Sequence, residues 1–197
     1  MSAQGPRFDK GYYDRYYRNP RTRVTSPEQA DVLGGFVCAY LAHLRLPVRR
    51  VLDAGCGLGY WRSIIARHHP RASYTGIEVS EYLCREFGWT QASIAGYRAR
   101  GRFDLIICQG VLQYLARDEA AAAIDNLGRL SRGVLYLEAL TTEDWEQNCD
   151  RDHTDGGVHL RSATWYRKRL AAQFAPLGGG LFLHRDADAV LFALESP

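Results

Sequence analysis

The chain has 197 residues, 46% of them hydrophobic and 24% charged, with a formal net charge of +3. This length is typical of one domain, and the composition excludes a disordered chain, a collagen and a disulfide-built miniature scaffold. No apolar stretch is long enough to cross a bilayer, and the first residues lack the apolar core of a secretory signal. Five widely spaced cysteines without a Cys-x-x-Cys pair indicate reduced thiols. We therefore expect no zinc site and a cytoplasmic location.

The predicted elements alternate along the chain. Ser26, Pro27 and Gln29 are typical of a capped helix start, and apolar residues continue that helix to Leu44. Strands are predicted at 51–55, 74–79, 91–94, 103–108 and 133–140. Further helices are predicted at 61–68, from Ser80, at 118–130 and at 162–174.

This alternation predicts an α/β fold, a doubly wound and mostly parallel seven-stranded sheet with helices on both faces. After three glycines, the segments 181–184 and 189–194 are predicted to form a closing antiparallel hairpin. We expect a single domain over 1–197, with 1–48 as an N-terminal helical cap or lid. A long polar connection, 141–161, follows the last parallel strand, and connections of that length are often functional.

A glycine-rich turn, Asp53-Ala54-Gly55-Cys56-Gly57-Leu58-Gly59, follows the first strand, where such sheets bind ligands. Tyr60 stands where a dinucleotide fingerprint has its third glycine, and no Gly-Lys-Ser/Thr follows. These features weaken the prediction of a site for the pyrophosphate of a dinucleotide, and they exclude a P-loop for a nucleoside triphosphate. Glu78 ends the second strand, where a carboxylate can accept hydrogen bonds from a ribose diol. Together the turn and Glu78 favour an adenosine-type ligand.

The glycine turn, Ile77-Glu78, Phe103-Asp104-Leu105-Ile106-Ile107-Cys108 and Val111-Leu112-Gln113-Tyr114-Leu115 resemble the class I S-adenosylmethionine-dependent methyltransferases. The resemblance implies that the glycine turn holds the methionine end of the cofactor, Glu78 the ribose and Val79 the adenine. Ser93 and Ile94 replace the acid that the family usually has beside the adenine. Gln109 is expected to face the methyl-bearing sulfur. The expected S-adenosylmethionine-binding residues are Asp53, Gly55, Cys56, Gly57, Glu78, Val79, Ser93, Ile94, Gln109 and Tyr16.

Because loops at the carboxyl ends of parallel strands form the ligand crevice, we expect 141–161 to cover the methyl acceptor. In this connection His153 and His159 are candidate catalytic residues, because an acceptor that carries a proton needs a base. Gln113, after the fourth strand, and Tyr12, in an N-terminal run with tyrosines four residues apart, are the other two candidates. The Asp and His cluster also permits a metal, but Gln109-Gly110 stands where metal-dependent relatives have an aspartate, so no metal is predicted.

These observations predict an enzyme that methylates a small molecule, acting as a monomer or homodimer without a membrane partner. A weakly basic chain with no added RNA-binding module makes a nucleic-acid partner the less favoured reading. Two alternatives stay open: methylation of RNA or protein, and a non-catalytic cofactor-binding protein whose acceptor cleft is blocked by 141–161. The sequence leaves the acceptor atom undetermined.

Overall fold

The computed structural model describes residues 8–191 and 193, and seven strands in this part of the chain form one sheet. The strands are β1 (Arg50–Ala54), β2 (Ser73–Glu78), β3 (Thr90–Gln91), β4 (Phe103–Gln109), β5 (Ser131–Glu138), β6 (Phe174–Gly178) and β7 (Leu181–His184). Their order is β3-β2-β1-β4-β5-β7-β6. Strands β1 to β5 are parallel, whereas β7 pairs antiparallel with both β5 and β6. The predicted fold class is confirmed.

Seven α-helices accompany the strands in the described residues. They are α1 (Lys10–Tyr13), α2 (Pro27–His43), α3 (Tyr60–His68), α4 (Glu81–Phe87), α5 (Arg117–Leu130), α6 (Thr142–Gln147) and α7 (Ala163–Leu170). A π-helical turn, Asp14–Arg18, extends α1, and a 3-10 turn, Leu112–Tyr114, follows β4. None of these helices has the length and apolar character needed to cross a bilayer.

The strands contribute alternate side chains to two cores. Leu105 and Ile107 of β4 pack with residues of α2 and α3, whereas Ile106 and Cys108 face α5 and α7. All four side chains are fully buried, because both faces of the parallel sheet are covered by helices. This explains why β4 has an uninterrupted apolar sequence.

The predicted start of α2 is confirmed. Ser26 accepts a hydrogen bond from the backbone N–H of Gln29, and the Gln29 side chain accepts one from the backbone N–H of Ser26. This reciprocal capping box satisfies two amide groups that a helix start leaves without intrahelical partners. The α2 helix also packs closely on α3, because a Cβ atom at Gly34 would lie 2.5 Å from Cγ2 of Ile64.

The closing hairpin differs from its prediction. It joins Phe174–Gly178 to Leu181–His184, so the glycine run is the turn of the hairpin and does not precede it. Gly179 and Gly180 have φ values of 57° and 77°, the left-handed conformation that a type I′ hairpin turn requires at both positions. The predicted second strand at 189–194 is wrong for 189–191 and 193, while 192 and 194 lie outside the described residues.

Other elements also differ from their predictions. The last helix ends at Leu170, not Phe174, because Phe174 pairs with His184 in the sheet and is buried there. The third strand, predicted at 91–94, is the two-residue strand Thr90–Gln91 at the sheet edge. The connection 141–161 contains α6, whose start is capped by Thr141.

Candidate active site

A cavity of about 780 Å³ lies at the carboxyl ends of the parallel strands. Asp53 of β1, Glu78 of β2, Gln109 of β4 and Glu138 of β5 all line it. The chain order reverses between β1 and β4, and doubly wound sheets bind their ligands at this reversal. The cavity therefore lies where the fold favours a ligand.

The glycine turn forms one wall of the cavity. Gly55, Gly57 and Gly59 have φ values of 76°, 51° and 80°, a conformation that residues with a Cβ atom rarely adopt. A Cβ atom at Gly55 would also lie 2.3 Å from Cγ2 of Val111. The backbone N–H groups of Gly55 and Cys56 donate to the Ile77 carbonyl at 2.8 and 3.1 Å, which holds the turn against β2.

Glu78 is buried and binds backbone amides with both oxygens. Oε2 accepts from Gly57 at 3.0 Å, and Oε1 accepts from Val79 at 2.7 Å and Ser80 at 3.0 Å. A carboxylate has about four acceptor directions, so these three bonds orient the group and leave capacity for a ligand hydroxyl. Glu78 is 4% exposed, so a ligand can reach it only through the cavity that it lines.

Asp53 lies beneath the glycine turn and is 2% exposed. Burial, with a smaller contribution from the nearby Glu78 carboxylate, raises its pKa to about 7, although the hydrogen bond from the Tyr74 hydroxyl opposes this shift. Asp53 is therefore a carboxyl group that changes protonation near neutral pH. A positively charged ligand in the cavity would favour its ionised form.

The predicted adenine-side residues Val79, Ser93 and Ile94 line one part of the cavity. The Ala92 amide donates to the Glu78 carbonyl at 3.0 Å, which connects this segment to the end of β2. The Ser93 hydroxyl donates to Oε1 of Glu119 at 3.5 Å. Glu119 of α5 therefore lies beside Ser93, which stands where the resemblance implied an acid beside the adenine.

Gln109 belongs to a chain of hydrogen bonds along the ends of β4 and β5. Its Oε1 accepts from the Trp61 indole at 2.9 Å, and its Nε2 donates to Oε2 of Glu138 at 3.2 Å. The Tyr136 hydroxyl donates to the same Glu138 oxygen at 2.9 Å. Because each partner fixes the next, the amide of Gln109 and the carboxylate of Glu138 have defined orientations.

Aromatic side chains of the N-terminal segment form the opposite wall. Phe8, Tyr12, Tyr13, Tyr16 and Tyr17 all line the cavity. The ring of Tyr12 lies 5.1 Å from those of Phe8 and Tyr16, and its hydroxyl is 2.8 Å from the Tyr114 hydroxyl. These contacts place Tyr12 and Tyr16 where the sequence predicted pocket residues.

Further hydrogen bonds hold this segment to the domain. The Ser80 hydroxyl donates to the Phe8 carbonyl at 2.6 Å. The Arg18 guanidinium donates to the Glu86 carboxylate and the Tyr82 hydroxyl, each at 2.6 Å. The aromatic wall is therefore attached to α4 and to the residue that caps it.

Gln113 also lines the cavity and is 8% exposed. Within the described residues its Oε1 has no hydrogen-bond partner, although the atom is buried. The backbone carbonyl of Gln113 accepts from the His159 amide at 2.8 Å, which attaches the connection 141–161 to the 3-10 turn. The side chain of Gln113, unlike those of the histidines, is directed at the site.

The structure does not place His153 or His159 among the cavity-lining residues. His153 bridges two loops, with Nδ1 2.8 Å from Oδ2 of Asp150 and Nε2 2.9 Å from the Arg21 carbonyl. His159 is exposed and contributes its backbone amide. The prediction that they contact the acceptor is therefore corrected, since polar loop residues can connect segments without facing the site that the loop covers.

Other residues of the same connection do reach the cavity: Asp144, Asn148, Thr154 and Asp155. Trp61, Tyr74 and Glu138 were not among the predicted site residues. The available signal for Glu138 was its position at the carboxyl end of a parallel strand. Trp61 and Tyr74 carried no such signal, because a helix residue and a strand residue far apart in sequence meet the site only through packing.

Within the described residues, no group of three or more His, Cys, Asp or Glu side chains is arranged to hold a metal ion. All five cysteines are free thiols. Burial raises the pKa of the Cys56 and Cys108 thiols above the usual value, so these groups are neutral near pH 7.

Comparison with known proteins gives a match to a family model described as a methyltransferase domain, over residues 52–132. This range begins in β1 and ends in β5, and it includes the glycine turn, Glu78 and Gln109. Together with the sheet order, the match shows that this part of the chain is similar to a methyltransferase domain.

Among curated proteins, the chain is similar to the uncharacterized protein RP028 of Rickettsia prowazekii (strain Madrid E). The two are 25% identical over 124 residues, which cover 54% of this chain and 49% of that protein. The chain thus spans about half the length of the curated relative that it matches.

Among solved structures, the sugar N-methyltransferase KedS8 from Streptoalloteichus sp ATCC 53650 is 23% identical with a TM-score of 0.56. The match covers 72% of this chain and 58% of KedS8. The N-methyltransferase NodS from Bradyrhizobium japonicum WM9, solved with S-adenosyl-L-homocysteine, is 18% identical with a TM-score of 0.51. That match covers 78% of this chain and 88% of NodS. At these identities the likeness establishes a shared fold.

Proposed function

We propose that this protein transfers a methyl group from S-adenosylmethionine to a small-molecule acceptor. The observation that carries the proposal is the pairing of a left-handed glycine turn with buried Glu78, both facing the cavity at the reversal point of the sheet. The structures of KedS8 and NodS, which are named as N-methyltransferases, share this fold.

The residues present fit the cofactor. Asp53, Gly55, Cys56 and Gly57 would hold its methionine end, because glycines permit close approach and Asp53 can carry a negative charge beside a cationic ligand. Glu78 has one acceptor direction free for the ribose hydroxyls.

The remaining predicted cofactor residues would surround the rest of the molecule. Val79, Ser93 and Ile94 form the wall for the adenine, while Gln109 and Tyr16 lie toward the opposite end. When bound, the cofactor supplies a methyl group on a positively charged sulfur, which is already an activated leaving group.

The protein's own contribution is then positioning and exclusion of water. Aligning a nucleophile with a bound methyl group can supply about 7–11 kcal/mol of the barrier reduction. Trp61, Gln109 and Glu138 form a connected set whose orientations are fixed before an acceptor enters. Tyr12 and Gln113 border the same space and are candidates for contact with the acceptor.

We propose that two segments cover the bound molecules. The N-terminal cap or lid, predicted over 1–48 and described from residue 8, contributes the aromatic wall. The connection 141–161 contributes Asp144, Asn148, Thr154 and Asp155. In this proposal the residues before α2 and the connection 141–161 open for entry and release, while α2 stays packed on α3.

The cavity supports a small acceptor over the alternatives. RNA would need Lys or Arg to neutralise phosphate, and the described cavity lining has neither. A non-catalytic protein with a blocked cleft would have 141–161 filling the acceptor space, whereas residues of that segment line an open cavity of about 780 Å³ that the cofactor and the acceptor would share. Five free thiols support the cytoplasmic location that we propose. We also propose that the protein acts as a monomer or homodimer.

The test is transfer of label from methyl-tritiated S-adenosylmethionine into a cell extract separated into small-molecule, RNA and protein fractions. We expect label in the small-molecule fraction with the wild-type protein and none with Glu78→Ala. Label only in RNA or protein would replace the proposed acceptor class. Cofactor binding without transfer to any fraction would support the non-catalytic alternative.

A further inference from the structure

The charge of the cavity is opposite to that of the chain. Lys and Arg outnumber Asp and Glu by 25 to 22 over the whole sequence, yet the described lining contains no Lys, Arg or His. It contains five carboxylic acids: Asp53, Glu78, Glu138, Asp144 and Asp155. A cavity with this lining favours a positively charged occupant.

The cofactor accounts for only part of this charge. Asp53 and Glu78 belong to the glycine-turn end, where they would meet the methionine part and the ribose. Glu138, Asp144 and Asp155 come from β5 and from the connection that follows it, which is the proposed acceptor side. Three carboxylates therefore surround the space that the acceptor would occupy.

Asp144 and Asp155 have hydrogen-bond partners within the connection 141–161 itself. Asp144 accepts hydrogen bonds from Thr141 and Asn148, and the bond from Thr141 lowers its pKa, so it is ionised at neutral pH. Asp155 accepts from the Gly157 amide at 2.9 Å. Both contribute negative charge to the cavity while holding the connection in shape.

Glu138 differs because it presents an oxygen to the cavity. Its Oε2 accepts from the Tyr136 hydroxyl and from Gln109. Its Oε1 has no hydrogen-bond partner among the described residues, and the side chain is exposed where it lines the cavity. Glu138 is thus an oriented carboxylate with one oxygen available to a ligand.

The aromatic wall favours the same kind of ligand. Tyr12, Tyr16, Tyr17, Trp61 and Tyr114 line the cavity together with these acids. The faces of aromatic rings attract cations, more strongly where water is excluded. A carboxylate beside several rings is a chemical environment suited to an ammonium group.

We infer that the methyl acceptor is a small amine and that Glu138 binds its ammonium group. This inference rests on the proposed function and names its substrate class. Glu138 takes one proton from the ammonium, which exposes the nitrogen lone pair. That pair forms the new N–C bond as the methyl carbon's bond to sulfur breaks, its electrons staying on sulfur, and Glu138 then releases its proton to water.

The experiment is calorimetric titration of the full chain saturated with S-adenosyl-L-homocysteine. The probes form three series, each with an amine, its neutral hydroxyl analogue and its carboxylate analogue. The series are tyramine, tyrosol and 4-hydroxyphenylacetate; glucosamine, glucose and glucuronate; and butylamine, butanol and butyrate. We expect at least one amine to bind at least tenfold more tightly than its neutral and acidic partners. Glu138→Gln should weaken binding of that amine at least tenfold. Glu146 is an exposed acid on α6 outside the cavity lining, so Glu146→Gln should change the same affinity less than twofold.

Affinity of Glu138→Gln for S-adenosyl-L-homocysteine within twofold of wild type would show that the variant is folded and that Glu138 acts on the acceptor. A tenfold loss of that affinity would assign Glu138 to the cofactor and overturn the inference. Equal or tighter binding of the neutral or acidic probes, or binding of no amine, would also overturn it and leave the proposed function standing. Failure of the wild-type protein to bind S-adenosyl-L-homocysteine would instead refute the proposed function.

Discussion

The backbone N–H of Gly57 donates to Oε2 of Glu78 across 3.0 Å, and this bond joins the glycine turn to the end of β2. The two residues are 21 positions apart in the sequence. Their contact sets the distance between the proposed methionine and ribose subsites before any ligand enters. Preorganisation of this kind reduces the entropy that binding must overcome.

Glu78→Ala should weaken binding of S-adenosyl-L-homocysteine at least tenfold, or about 1.4 kcal/mol. The change removes the ribose acceptor and leaves three amides without their partner, so the free energy of unfolding should also fall by about 1–3 kcal/mol. Calorimetry and urea unfolding measure the two effects. Glu81→Ala, on the exposed surface of α4, is the matched control, and an equal loss of affinity there would contradict the assigned role of Glu78.

Asp53 should make stability depend on pH. Its pKa is raised to about 7 in the folded state, against about 3.9 in an unfolded chain. The folded protein therefore holds a proton that the unfolded chain releases, and the resulting stabilisation is full below about pH 4 and lost as pH rises through 7. Between pH 5 and pH 7 this contribution should fall by about 2 kcal/mol. Urea unfolding at both pH values should show that fall in the wild type and its absence in Asp53→Asn; identical pH profiles would contradict the prediction.

Gly55→Ala should destabilise the protein by about 2–4 kcal/mol. The left-handed φ costs about 1 kcal/mol for a residue with a Cβ atom, and the clash with Val111 adds about 1–3 kcal/mol. Gly88 has a φ of 73° but nothing within 4 Å of an added Cβ, so Gly88→Ala should cost only the first amount. Thermal unfolding compares the two, and Val111→Ala in the Gly55→Ala background should recover part of the loss. If Gly55→Ala and Gly88→Ala destabilise the protein equally, the clash of the new Cβ atom at position 55 with Val111 costs no measurable stability, and the prediction is wrong.

His153 should hold the connection 141–161 more firmly at low pH. Both of its ring nitrogens face acceptors, Oδ2 of Asp150 and the Arg21 carbonyl, and only the protonated ring can donate to both. Asp150 raises the pKa of His153, so the stabilisation is present below its usual value and lost as pH rises past the raised one.

Limited proteolysis measures this effect. In the wild type, 141–161 should be protected from cleavage at pH 6 and should lose that protection at pH 8. The control variant His159→Ala keeps the His153 bridge and should behave in the same way. His153→Ala should be cleaved rapidly at both. Protection of His153→Ala at pH 6 would show that the bridge does not hold the segment.

Local sequence features predicted the sheet and the part of the candidate site formed by the glycine turn and Glu78. Alternating apolar segments marked β1, β2, β4 and β5, because a parallel strand buried on both faces has a continuous apolar sequence. The glycine turn and Glu78 were found because their chemistry follows directly from position at a strand end. The hairpin was misplaced because three glycines can mark either a linker or a turn, and only the pairing of β6 with β7 distinguishes the two.

The sequence by itself determined the class of fold and the proposed cofactor side of the cavity, since both depend on short patterns of neighbouring residues. Only the tertiary structure brought together the side chains of the proposed acceptor side. Trp61, Gln109 and Glu138 come from three elements and meet through side-chain hydrogen bonds, whereas His153 is directed away to Arg21. Such contacts depend on packing between distant segments, for which the order of residues along the chain carries no local signal.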